Sequence, residues 1–207
     1  MVSRDFIFWE VDTQADFMLP GGHLYVPGAE KLLPNLRRLT DAARHEQVFL
    51  VSHGCFHPEN DPEFSQFPPH CLKGTAGAEL VPEALADKVA RVENVPSAKL
   101  PGDLAPYQQI LLEKQTLDIF KTLHADELVK RLGNTAEFIV FGVVTEYCVN
   151  FAVKGLLERK RRVTCVRDAI ETLAPEIGSQ TVSEFQRMGA RLATTDEVLQ
   201  RVASSRT

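Results

Sequence analysis

Three residues that lie far apart in the chain have the types needed to cut an acyl bond: Asp12, Lys114 and Cys148. A thiol attacks an acyl carbon only as a thiolate, so it needs a group that takes its proton or favours its anion. A carboxylate can take that proton and return it to a leaving amine. An ammonium can hold the carboxylate in place and stabilise the thiolate. The turn Gly142-Val143-Val144-Thr145, just before Cys148, can aim backbone N–H groups at a developing oxyanion. Each residue also has an ordinary reading. A free cysteine commonly packs as a small hydrophobe, a strand-end Asp caps a turn, and a Lys is commonly solvated. The chain has three other cysteines, Cys55, Cys71 and Cys165. Cys165 falls within an apolar run and reads as core, and Cys71 reads as loop packing beside His70.

The elements that would position these residues alternate. Buried strands are read at 5–12, 48–53, 108–114, 136–144 and 161–169, from short apolar runs rich in β-branched and aromatic residues. Helices are read at 28–47, 78–90, 125–133, from about Tyr147 to Lys160, and at 179–190. A short strand and a last helix fill 191–202, with Thr195 as the expected N-cap. Strand-then-helix alternation implies an α/β fold with three α/β/α layers and a mostly parallel central sheet. Such folds place their sites at the carboxyl ends of the strands. Asp12 ends the first strand, and His53, Cys55 and His57 follow the second. Lys114 ends the third, Thr145 and Cys148 follow the fourth, and Asp168 ends the fifth. The segment 54–77 is a long Gly-, Pro- and Asp-containing loop, of a length that is usually functional.

Composition narrows the function classes. The chain has 207 residues, 44% hydrophobic and 25% charged, which fits one globular domain spanning 1–207. A net charge of -5 gives no basic footprint for nucleic acid, and Lys160-Arg161-Arg162 reads as a solvated helix end. No apolar run approaches the roughly 20 residues that span a bilayer. The N-terminal residues are too charged for a signal peptide, so a cytoplasmic location with reduced thiols is expected. Oligomeric state is not fixed by these residues, and a homo-oligomer is compatible with them.

Four motifs in order resemble the isochorismatase-like cysteine hydrolases, and among them the nicotinamidases. They are "VDTQADFMLPGGHLYVPGAE" (11–30), "FPPHCLKGTAGAEL" (67–80), "EKQTLDIF" (113–120) and "FGVVTEYCVNFAVKGLLERKRRVTCVRDA" (141–169). The resemblance covers about Phe6 to Ala190 and implies an isochorismatase-like fold. It implies Cys148 as nucleophile, Asp12 as general base and acid, and Lys114 as third member of the triad. It further implies a cis Val143–Val144 peptide bond, an oxyanion hole from the N–H groups of Val144 and Cys148, and Phe17 and Phe67 packing on the substrate ring. A divalent metal, zinc by the ligand types, is implied at His57, Glu63 and His70. Cys55 stands there where the family pattern has Asp, and a thiolate can also bind zinc.

The implied activity is hydrolysis of a small primary carboxamide, nicotinamide, to the acid and ammonia through a Cys thioester. The partner is then a small-molecule amide, with neither nucleic acid nor membrane. The alternatives are an amidase or carbamoyl hydrolase of the same superfamily with another small substrate, and a non-catalytic binding protein.

Overall fold

A computed structural model describes residues 5–205 of the chain; residues 1–4, part of the charged N-terminal stretch, lie outside it. Seven strands form one sheet: β1 (Phe6–Val11), β2 (Phe49–Cys55), β3 (Val89–Val92), β4 (Gln109–Lys114), β5 (Glu137–Gly142), β6 (Arg162–Ile170) and β7 (Arg191–Ala193). Their order across the sheet is β3-β4-β2-β1-β5-β6-β7, and every pairing is parallel. Six helices accompany them among the described residues: α1 (Ala15–Met18), α2 (Leu33–Arg44), α3 (Ala125–Arg131), α4 (Asn150–Glu158), α5 (Pro175–Arg187) and α6 (Thr195–Ser204).

The alternation of side chains along β1 divides the core. Phe8 joins residues of α1, α2 and α6 on one face of the sheet. Ile7, Trp9 and Val11 join residues of α3, α4 and α5 on the other. Central strands buried on both faces read as continuous apolar runs, which is why "FIFWEV" and "EFIVFG" carry so few polar residues. The expected three-layer α/β/α arrangement is therefore present, with an all-parallel sheet.

Four expectations about the elements need correction. The segment 78–90 is not a helix. It forms two 3₁₀ turns, Ala76–Ala78 and Pro82–Ala84, and then enters the edge strand β3. Tertiary hydrogen bonds outweigh its helical periodicity. Val81 N–H donates to Thr13 O, Ala86 N–H to Gln109 Oε1, and Asp87 and Lys88 N–H to Gln108 Oε1. The helix expected from Tyr147 begins instead as a wide π-type turn, Thr145–Val149, and α4 proper starts at Asn150. The helix expected at 179–190 starts four residues earlier, with Pro175 in its first turn, where a missing N–H costs nothing. The N-cap of α6 is Thr194, not Thr195, and it forms a capping box with Glu197. Thr195 instead donates through its N–H and its hydroxyl to Asp168 Oδ1, at 2.8 and 3.0 Å, so Asp168 ties α6 to β6.

Candidate active site

The first strand ends by turning sharply. Asp12 has φ of 50°, a left-handed conformation that costs a non-glycine residue roughly 1–3 kcal/mol unless its surroundings enforce it. Here Asp12 N–H donates to His53 O at 2.9 Å, and Asp12 Oδ2 lies 2.9 Å from Lys114 Nζ. Gly142, at the end of the neighbouring strand β5, has φ of 118°; a Cβ there would lie 2.0 Å from Val11 O. Only glycine lets β5 approach β1 at the point where Asp12 leaves the sheet. The next peptide bond, Val143–Val144, is cis, as the family resemblance implied.

Cys148 sits in the wide turn that follows. The turn is fixed at its start by Thr145, whose N–H and hydroxyl both donate to Glu171 O, at 2.8 and 2.7 Å. It is fixed on its outer side by Glu146, which accepts from Leu173 N–H, Ala174 N–H and the Thr172 hydroxyl. Tyr147 bends sharply between them (φ -114°, ψ -105°). These ties bring Cys148 Sγ to 3.5 Å from Lys114 Nζ. Asp12, Lys114 and Cys148, read separately from the sequence, are thus one buried group.

The electrostatics set their resting state. Burial alone would raise the Asp12 carboxyl, but the Lys114 ammonium, together with the facing His53 ring and the Cys148 thiol, outweighs it and holds the pKa at about 2. Burial likewise opposes the charge on Lys114, yet the facing Asp12 carboxylate raises its pKa well above the ordinary lysine value. Burial, reinforced by the Asp12 charge, pushes the Cys148 thiol well above its ordinary value, against the pull of Lys114. The group therefore rests as carboxylate, ammonium and neutral thiol.

A cleft opens beside the thiol. Its walls include Phe17, Phe67, Leu117, Tyr147 and Leu173, with Asp12, Cys55 and Cys148 at its base. Phe17 and Phe67, the expected ring contacts, both reach it. Phe67 packs edge-on to Tyr147 with centroids 6.2 Å apart.

Next to that base, Cys55, His57 and His70 have ligating atoms that all lie within 4.8 Å of one another. Each imidazole has one ring nitrogen held by an oxygen and the other left for a ligand. His57 Nδ1 is 2.9 Å from Asp61 Oδ2, and its Nε2 is buried without a partner. His70 Nδ1 donates to Pro68 O at 2.8 Å, which leaves Nε2 as the lone-pair nitrogen. An acceptor hydrogen-bonded to one ring nitrogen fixes the tautomer and orientation of a metal-binding histidine. The two histidines and the thiol are donor types that suit zinc. Glu63, expected as a further ligand, is outside this cluster. It lies on the wall of the cleft, because its 3₁₀ turn is capped by Asp61, which accepts from Glu63 N–H at 2.9 Å.

Cys55 belongs to both groups. Its Sγ accepts from Lys114 Nζ at 2.9 Å and lies 4.0 Å from Asp12 Oδ2. Burial, with the Asp12 charge, pushes its pKa to about 12. The remaining cysteines are packed, as read from sequence: Cys165 in β6, and Cys71, whose N–H donates to Asp16 Oδ2 at 2.6 Å.

Sequence reasoning assigned no role to Gln14, Asp16 or Asp61. Gln14 clamps the backbone of Cys55: its Oε1 accepts from Cys55 N–H at 2.7 Å, while Nε2 donates to Cys55 O and to Ala78 O. Asp16 binds the Cys71 and His23 N–H groups, holding the loop that carries His70. Both sit in the "DTQADF" motif, so their spacing from Asp12 was the available signal. The His57-x-x-x-Asp61 spacing was the signal for the third.

Residues 82–197 match the family model of the isochorismatase domain. The chain is 24% identical to the nicotinamidase of Escherichia coli (strain K12) over 89% of its length and 92% of that protein. Its fold is similar to that of Pyrococcus horikoshii pyrazinamidase, a structure in complex with zinc, at a TM-score of 0.74 and 25% identity over 92% of this chain and 99% of the other. It is also similar to that of N-carbamoylsarcosine amidase from Thermoplasma acidophilum, at a TM-score of 0.70 and 21% identity over 92% and 96% of the two chains. With more than half of its length matched by the family model, the chain belongs to the isochorismatase family of hydrolases.

Proposed function

We propose that the protein hydrolyses the carboxamide of a small, uncharged aromatic amide, nicotinamide being the leading candidate, to the acid and ammonia through a thioester on Cys148. The observation that carries this reading is Lys114 Nζ within 3.5 Å of both the Asp12 carboxylate and the Cys148 thiol, at the base of a cleft walled by aromatic and aliphatic side chains.

The amide enters with its ring between Phe17 and Phe67 and its carbonyl carbon against Cys148 Sγ. Asp12 accepts the thiol proton as sulfur bonds to that carbon. The carbonyl oxygen becomes an oxyanion, received by the N–H groups of Val144 and Cys148. The tetrahedral adduct collapses as its C–N bond breaks, and Asp12 hands its proton to the leaving nitrogen, releasing ammonia. Water then gives a proton to Asp12 and adds to the thioester carbon. The C–S bond breaks, the proton returns to Cys148, and the acid departs. Lys114 stays charged throughout and fixes Asp12 Oδ2 while the proton moves. A zinc ion held by Cys55, His57 and His70 would supply a Lewis-acid anchor for a ring nitrogen beside this path.

Ammonia release from a panel of nicotinamide, pyrazinamide, benzamide and N-carbamoyl amines, before and after chelation and zinc readdition, tests the reading. Turnover of the aromatic amides is expected, falling at least about 10³-fold in Cys148→Ala, as for loss of a nucleophile. Selective turnover of N-carbamoyl compounds would move the substrate class. Full activity of Cys148→Ala would remove the mechanism.

A further inference from the structure

One buried histidine beside the triad has no part in the mechanism above. His53 is the third-last residue of β2 and is fully enclosed. It does not line the cleft, so it meets neither substrate nor bulk water. Its backbone pairs with the catalytic strand, through Val11 opposite His53 and the bond from Asp12 N–H to His53 O. Its ring is packed against Trp9, with centroids 5.9 Å apart.

The side chain then faces Asp12 at 3.6 Å from Nδ1 to Oδ1. That is beyond hydrogen-bond length. Three atoms at this contact, both ring nitrogens of His53 and Asp12 Oδ1, are buried without a hydrogen-bond partner. Such groups are strongly driven to pair. A shift of well under 1 Å would satisfy two of them together, and catalytic hydrogen bonds that are long in a free enzyme commonly tighten when substrate binds. The other carboxylate oxygen is already committed to Lys114.

We propose that His53 is a positioning residue for the general base. Its Nδ1–H donates to Asp12 Oδ1 and stops the carboxylate from rotating, so that with Oδ2 fixed on Lys114 the base keeps its aim at the Cys148 thiol. Asp12 needs this second point because it leaves the strand in a left-handed conformation, beyond the ladder that would otherwise define its direction. This rests on the proposed role of Asp12 as the base for Cys148.

The test uses three substitutions and two readouts. His53→Asn can place an amide N–H near the position of Nδ1. His53→Gln reaches toward the position of Nε2, and His53→Leu fills the volume with no donor. The readouts are the kcat and KM of amide hydrolysis and the rate at which iodoacetamide alkylates Cys148, followed by peptide mass. Thermal unfolding identifies any variant that does not fold. Expected is a fall of about 10- to 100-fold in kcat for Leu and Gln, less than the about 10²- to 10⁴-fold of losing a general base outright because Asp12 is still present, with KM within about twofold and with Asn within about fivefold of the parent. Alkylation of Cys148 follows the same order. Leu within twofold of the parent in both readouts, Asn no better than Gln, or a rise in KM at unchanged kcat would each overturn the proposal. If the parent turns over no amide in the panel, the hydrolytic reading fails by itself, and the alkylation order alone decides the role of His53. If Leu does not fold, the comparison of Asn with Gln decides it.

Discussion

Lys114 Nζ lies within 3.5 Å of Asp12 Oδ2, Cys55 Sγ and Cys148 Sγ, and the side chain is wholly buried. Removing one member of a buried ion pair leaves the other charge uncompensated, which costs about 3–5 kcal/mol. Lys114→Met should therefore lower the denaturant midpoint by that equivalent and also abolish turnover; equilibrium unfolding beside an ammonia assay checks both. The three candidate residues were legible in the sequence because they are chemically distinctive and each falls at or just after a strand end. The two histidines and the substituted Cys55 were legible from the motif order. Gln14 and Asp61 were legible only as positions, in the "DTQADF" motif and four residues after His57, because an amide or a carboxylate in a loop carries no pattern that names its partner. Their partners, the Cys55 backbone and the His57 ring, are supplied by folding alone.

At the scale of elements, the site depends on how closely β1 and β5 come together. The Cβ of an alanine at Gly142 would meet Val11 O at 2.0 Å, and φ there is 118°. Both faults fall one residue from Asp12. Gly142→Ala should cost more than the roughly 1 kcal/mol typical of a point substitution and reduce kcat, since a small misplacement of reacting groups can cost about 100-fold. Calorimetry and kcat on one preparation test it, and parent-like values in both would show that β5 can move aside without consequence. The central strands were readable because they are buried on both faces and nearly free of polar residues. Strand β3 was missed because "VARV" is a half-exposed edge reached through a segment whose N–H groups donate to the side chains of Gln108 and Gln109, at the start of β4. The wide turn at Cys148 was read as an α-helix for a related reason. The ties that open it come from Glu171 and from the loop at Thr172–Ala174.

Across the whole molecule, the sheet order places β2 on one side of β1 and β5 on the other. The crevice at such a reversal is where open α/β sheets bind ligands. Asp12 leaves β1 there and Cys148 follows β5, so topology alone brings the carboxylate and the thiol to the same place. The same burial gives the fold a pH dependence. Asp12, depressed from 3.8 to about 2, contributes stability that is present above the higher value and lost as pH falls through the lower. Glu10 acts in the opposite sense. Burial, against the hydrogen bond from Ser52, raises it from 4.5 to about 8, so the folded state keeps a proton that the unfolded chain has lost. Stability therefore declines as pH rises from 4.5 to about 8 and levels off above that. Glu10→Gln should remove roughly 3–5 kcal/mol of this loss, the equivalent of the shift. Urea unfolding at pH 5 and pH 8.5 checks it (conditions on either side of the window), and an unchanged difference between parent and variant would show that Glu10 ionises freely.

Two thiols flank Lys114, and the proposed nucleophile is Cys148 at 3.5 Å rather than Cys55 at 2.9 Å. Acid quenching during steady-state turnover of nicotinamide, followed by peptide mapping, locates the acyl group directly. A nicotinoyl thioester is expected on the peptide containing Cys148 and absent in Asp12→Asn. An acyl group on Cys55, or undiminished turnover with no adduct in Cys148→Ala, would contradict it.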